Sequence, residues 1–258
     1  MTTPKIRIFD IETTPNIHAC WRPGLQYVSV DSIIQERVVI CAAWKDVGEN
    51  YVYHTPVLKF DKNGVPDDTE VILSIREGLE DADILVAHNG DKFDLPWIVG
   101  RSLVHGFGPL PNIPIVDTWK IARRKFNLNS TKLDYLAKLL GFEGKMKTEY
   151  EWWLAVLRQD KNIIQKMLEY NIDDVCLLEE VYLALRPFMT NHPNLGVIMG
   201  QIDTCPNCGT KGSLVKNGTR PRGRVSVAQE YRCKACGTYP SGPAVRAKDV
   251  DGNRIETR

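Results

Sequence analysis

Apolar residues recur along the chain in two rhythms. Near the N-terminus the runs are short, and either β-branched or alternating. Residues 5–10 (KIRIFD), 37–45 (RVVICAAWK) and 50–54 read as strands, with Gly48, Glu49 and Asn50 at the turn between the last two. The period then lengthens. Residues 69–79 place Val71, Ile72, Ile75 and Leu79 on one side of a helix. Residues 84–87 form a short apolar strand, and His88-Asn89-Gly90 leads into a helix expected over 91–105. A Gly/Pro-rich connection (106–114) precedes a short strand at 115–116 and a helix over 117–125. Beyond it the pattern is helical: 130–140, opened by Ser130 as cap and stopped at Gly141, then 149–158, then 160–185 before Pro187. Strands first, then alternation, then helices predict an α/β domain with a mixed sheet flanked by helices.

Charge and cysteine usage set a boundary. The formal charge of +1 hides an asymmetry: after Gly200 there are 11 Lys+Arg against 5 Asp+Glu, before it 22 against 27. A basic segment on a mildly acidic body suggests a part that meets a polyanion. Cys20, Cys41 and Cys176 are scattered and read as core residues. The pairs Cys205-x2-Cys208 and Cys233-x2-Cys236, each followed by glycine, have the spacing of a four-cysteine structural zinc site. The expected organisation is therefore a domain over 1–190, a linker over 191–202, a zinc ribbon over 203–240 and a basic tail over 241–258. The longest apolar run, 38–44, is far short of the ~20 residues of a membrane span. With no apolar leader at the N-terminus, an intracellular, cytoplasmic protein is expected.

Asp10 and Glu12 close the first predicted strand, and residues i and i+2 project from one face. Two carboxylates side by side repel unless something positive lies between them. The pair is either a cation site or a polar strand end facing water. Two further acids bear on the choice. "HNGDKFDLPWI" sets Asn89, Phe93 and Asp94 where a strand passes into a helix, and "YNIDDVCLLEEVY" sets Tyr170 and Asp174 on one helical face. Both acids sit among apolar neighbours, where an unpaired carboxylate is costly.

In order and spacing, these three stretches resemble the Exo I, Exo II and Exo III motifs of the DEDD exonuclease superfamily. That superfamily includes the proofreading domains of family B DNA polymerases and proteins with a YprB-like domain. The resemblance covers about residues 5–188 and takes in "VDTWKIARRKFNLNSTKLDYLAKLLG". It implies a ribonuclease H-like fold, with Asp10, Glu12, Asp94 and Asp174 as ligands for two Mg²⁺ or Mn²⁺ ions. Tyr170 fills the Y-x3-D position of the DEDDy branch; the DEDDh branch would place histidine where the chain has Glu169. Asp173, about 100° away around the helix, takes a minor role at most.

The implied reaction is metal-dependent 3′–5′ exonucleolytic hydrolysis of phosphodiester bonds. Tyr170 would orient the attacking water, Asn89 and Phe93 would hold the terminal nucleotide, and Thr13 would contact the substrate near the strand's end. Trp152 and Trp153 are expected to anchor helix packing. Arg123, Arg124 and Lys125 either touch phosphate or form an exposed helical face. The pattern "CPNCG…VKNG…EYRCKACG" resembles zinc ribbons of transposases and other DNA-associated proteins. Its hairpin (213–216 and 225–231) would carry Arg220, Arg222 and Arg224 on a basic tip, placed for phosphate contacts. The implied partners are nucleic acid, DNA favoured over RNA, and a replication or repair protein. The alternatives are a 3′–5′ exoribonuclease and a non-catalytic nucleic-acid-binding adaptor with a nuclease-like fold; the intact acidic set argues against the adaptor.

Overall fold

A computed structural model describes residues 4–22, 24, 27–201 and 203–247. The elements begin with β1 (Ile6–Thr13), β2 (Ile17–His18), β3 (Ile33–Gln35), β4 (Val39–Asp46), β5 (Tyr53–His54), β6 (Lys59–Phe60) and β7 (Pro66–Asp67). There follow α1 (Thr69–Leu79), β8 (Ile84–Ala87), α2 (Asp94–Val104), β9 (Ile115–Asp117) and α3 (Thr118–Lys125). Then come α4 (Leu133–Leu140), α5 (Tyr150–Leu157), α6 (Lys161–Leu185) and α7 (Leu195–Ile198), and finally β10 (Leu214–Pro221), β11 (Ser226–Cys233) and β12 (Ser241–Arg246). The chain divides into two compact units, Lys5–Tyr182 and one from Leu183 onward.

In the first unit five strands form a mixed sheet in the order β5-β4-β1-β8-β9. Strand β1 pairs antiparallel with β4 and parallel with β8. A central strand covered on both faces must be nearly continuously apolar, and Ile6, Ile8, Phe9 and Ile11 are all buried. Phe9 and Ile11 join the core beneath α1, with Ile72, Ile75 and Leu79. The opposite face, with Ile40 and Cys41, packs on Val156 of α5 and on Ile164, Met167 and Leu168 of α6. Trp152 and Trp153 pack into that second core, as the sequence predicts.

Strand β1 outruns its predicted end at residue 10. Pairing with β4 continues through Glu12↔Cys41, and a bulge interrupts the register only between Glu12 and Thr13. The two acids therefore lie inside a paired strand, not at a frayed end. Helix α2 starts at Asp94, later than the predicted residue 91, because Asn89 adopts a left-handed φ of 69° and turns the chain first. Helix α4 starts at Leu133; Ser130 instead accepts the Lys132 N–H at 3.3 Å, in the turn ahead of it. Gly141 ends α4 at φ 86°, as expected.

Asp68 fixes the end of α2 distant from Asp94. It is fully buried and accepts hydrogen bonds from the Val39 N–H (2.9 Å) and from Arg101 (2.8 and 2.6 Å), with His105 Nε2 at 2.7 Å. Burial alone would raise its pKa, but Arg101, the Val39 N–H and His105 hold it below the ordinary carboxylate value. Asp68→Ala leaves Arg101 without its counter-charge in a poorly hydrated site and should cost about 3–5 kcal/mol of stability, read by urea denaturation. Asp68→Asn should cost less.

The second unit holds a three-stranded sheet, β10-β11-β12. It departs from the sequence expectation at three places. The predicted linker carries α7, capped by Asn194 Oδ1 on the Val197 N–H at 3.2 Å. Strand β10 runs on to Pro221, so residues expected at the hairpin tip are paired. Residues 241–246 form β12 on the edge of the sheet rather than a tail, and 248–258 lie outside the described residues. No helix of the described residues is long and apolar enough to cross a membrane.

Candidate active site

Asp10 and Glu12 leave β1 on the face covered by α6, whose residues Tyr170, Asn171 and Asp174 approach from above. Carboxylate oxygens of Asp10, Glu12 and Asp174 lie within 4.8 Å of one another. Asp94, the first residue of α2, is held differently: its Oδ1 accepts the Ile11 N–H at 3.1 Å, between the two acids of β1. Gly90 makes room for this, since a Cβ there would meet the Ala87 Cβ at 2.3 Å and Asp94 Oδ2 at 3.4 Å.

Every acid of the group is pushed toward protonation. Burial and then Asp94 and Asp174 raise Asp10; burial and then Asp174 raise Glu12 to about 8; burial raises Asp94 to about 7. Asp174 is raised by burial, with Lys145 opposing. Lys145, from the loop between α4 and α5, forms an ion pair with Asp174 and donates to the Tyr170 hydroxyl at 3.3 Å, its ammonium 5.4 Å from that ring's centre. Burial disfavours its charge, but Asp174 and Asp10 outweigh that and raise its pKa. Tyr170 is raised as well, by burial and Asp174, so its hydroxyl keeps its proton.

Lys145 escaped the sequence reading, and so did Asn171. Asn171 is fully buried and donates to Asp10 Oδ2 at 2.8 Å, fixing that carboxylate on its strand. The only sequence signal was an amide one residue after Tyr170. Lys145 sits in "EGKMK", where nothing distinguishes it from Lys147. Of the remaining predicted residues, Asn89 donates its N–H to Asp117 Oδ1 at 3.0 Å. A left-handed φ at a non-glycine residue is a strain that tends to gather at functional sites. Phe93 packs partly into the α1-side core beside Trp97, and Thr13 is buried, its carbonyl accepting the Trp153 indole N–H at 3.2 Å. His88 is neutral, pushed down to about 4 by burial, and bridges Thr118 and Thr131. Asp173 and Glu169 face solvent.

In the second unit the sulfurs of Cys205, Cys208, Cys233 and Cys236 lie within 4.8 Å of one another, with Cys205–Cys236 at 3.9 Å and Cys208–Cys233 at 3.7 Å. Zn–S bonds of about 2.3 Å in a tetrahedron set sulfurs about 3.8 Å apart, so the set fits the ion. The two knuckles repeat one hydrogen-bond plan. Gly209 N–H donates to the Cys205 carbonyl and Gly237 N–H to the Cys233 carbonyl, both at 3.0 Å and both with positive φ. Of the predicted phosphate contacts, Arg220 is paired with the buried Glu230 at 2.6 Å and Arg222 donates to Ser241 Oγ at 2.7 Å; Arg224 is exposed.

Comparison with known proteins gives a consistent family assignment. Residues 8–186 match the family model described as RNase_H superfamily. The chain is 28% identical over 197 residues to the DNA polymerase III PolC-type of Ureaplasma parvum, covering 73% of this chain and 13% of that one. It is 22% identical over 235 residues to a DNA polymerase of Thermococcus aggregans, covering 82% and 12%. The chain thus spans about an eighth of the length of the curated relatives it matches. Among solved structures, the family B DNA polymerase of Pyrobaculum calidifontis matches at TM-score 0.49 and 14% identity, over 86% of this chain and 32% of that one.

Proposed function

The chain belongs to the RNase_H superfamily, and we propose that it is a divalent-metal-dependent 3′–5′ exonuclease acting on single-stranded or frayed 3′ ends of DNA. The observation that carries this reading is the convergence of Asp10, Glu12 and Asp174, with Asp94, Tyr170 and Lys145 around them. An all-oxygen, mostly anionic donor set fits Mg²⁺ or Mn²⁺. Bound there, two such ions would supply an acidified water and neutralise charge on the leaving oxygen. The residues of the chain do the positioning. Asn171 and the strand pairing hold Asp10 and Glu12, while the Ile11 N–H holds Asp94. Tyr170, keeping its proton, acts as a donor that orients a water or a phosphate oxygen and not as a base. Lys145 counters charge at Asp174 and can approach the phosphate. Asn89, at the mouth of α2, would hydrogen-bond the terminal nucleotide through its side chain.

The test is a time course on 3′- and 5′-labelled single-stranded DNA and RNA with Mg²⁺, Mn²⁺ or EDTA. Stepwise loss from the 3′ end, dependent on added metal and faster on DNA, is expected. Activity that survives EDTA, or cuts that open a circular strand, would overturn the reading; faster RNA trimming would replace DNA by RNA as the substrate.

A further inference from the structure

Beside the acidic cluster lies a second recess, of about 460 Å³, whose outer part, at Trp119 and Lys132, the chemistry above does not use. It shares Asn89 and Lys145 with the site and reaches outward to Trp119 and Lys132. Trp119 is the second residue of α3 and is half-buried. Arg123, one turn further along the helix, lies 5.2 Å from its ring centre, and Lys92, from the turn before α2, lies 5.6 Å from it.

The charges around this indole are unbalanced. The nearby acids are occupied: Asp91 is paired with Lys120, and Asp134 binds Lys138 and the Lys145 backbone N–H. Lys92, Arg123 and Lys132 are exposed, and none forms an ion pair among the described residues. Three unpaired cations around one accessible indole repel one another and gain only weakly from the ring. A ligand that brings both flat rings and regularly spaced negative charge would satisfy both at once.

We propose that this recess is a stacking subsite for single-stranded nucleic acid. Trp119 carries a base of the strand that leads into the acidic cluster, and Lys92, Arg123 and Lys132 bind its phosphates. The assignment of that strand as substrate rests on the exonuclease reading; the binding itself does not. A duplex presents only base edges, its base faces being already stacked, so the subsite selects unpaired strands without reading sequence.

The experiment measures fluorescence anisotropy of a labelled twelve-residue oligothymidylate on the full chain, with Ca²⁺ replacing Mg²⁺. Trp119→Ala should weaken binding about tenfold, the loss of one stacked base, while Trp119→Phe retains most of the affinity. Arg123→Ser, at an exposed position, should lower the slope of log K against log salt by about 0.7. Tyr51→Ala, an exposed aromatic against Tyr53 of β5, the edge strand opposite β9, serves as control and should change nothing. Should Trp119→Ala melt early, Trp119→Phe and Arg123→Ser still decide. Wild-type affinity in both Trp119→Ala and Arg123→Ser overturns the subsite. So does an equal loss on a twelve-base-pair duplex, which would mean a surface that reads charge alone. Hydrolysis of the same strand by the wild-type chain in Mg²⁺ is scored separately. Its absence, with Trp119-dependent binding intact, sinks the exonuclease and leaves the subsite standing.

Discussion

Asp174→Ala should reduce hydrolysis of a 3′-labelled single strand in Mg²⁺ by roughly a thousandfold or more. Asp174 gives a buried oxygen to the cluster with Asp10 and Glu12 and is the carboxylate that Lys145 engages. Alanine removes a ligand and a charge together. Asp174→Asn keeps the volume but not the charge, and should fail nearly as badly if the role is to hold cations; near-normal rates in the asparagine variant would argue for a packing role. Stability should move the other way at Asp10. Its carboxylate is half-buried and repelled by Asp94, Asp174 and Glu12, so Asp10→Asn should leave the metal-free protein as stable as wild type or more so. Asn171 could still donate to the amide oxygen. Lys145→Met separates the lysine's parts: without its charge the metal-free cluster is more repulsive, so Mg²⁺ should raise the melting temperature more in that variant than in the wild type.

How much of this was readable in the sequence depends on the element. Helix α1 and strand β8 fall where the apolar pattern placed them: α1 turns one apolar side to a single core, and β8 is buried on both faces, so its four residues are continuously apolar. Strand β1 was cut short at Asp10 because two acids look like an ending. Only the pairing with β4 shows that the strand continues to Thr13. Residues 241–246 lie in the expected basic tail yet pair as β12, an edge position that tolerates Pro243, a residue without an N–H. The site divides in the same way. Asp10, Glu12, Asp94, Tyr170 and Asp174 carry a spacing signal along the chain. Lys145 and Asn171 matter only through where a loop and a helix face arrive in space, and neither leaves a period or motif.

If the four cysteines hold zinc, removing it should unfold the second unit. Its buried apolar side chains are few: among the described residues they are Leu185, Met189, Leu195 and Ala228 besides Cys205 and Cys233, and a unit so small needs a staple. Binding of zinc to such a set contributes on the order of 10–16 kcal/mol at neutral pH, far more than that core can supply. Elemental analysis should find about one zinc per chain, lost in Cys205→Ser and in Cys233→Ser. In either variant, protease should cut the chain after Leu183 while Lys5–Tyr182 survives, because the first unit has its own two cores. If this unit also tethers the chain to DNA, as proposed, the same variants should lose affinity for long single strands and much of its salt dependence. Metal loss with unchanged DNA affinity would leave the cysteine cluster a purely structural staple. The exposed Arg224 would then be free for a protein partner, and any hold on a nucleic-acid strand would rest on the first unit alone.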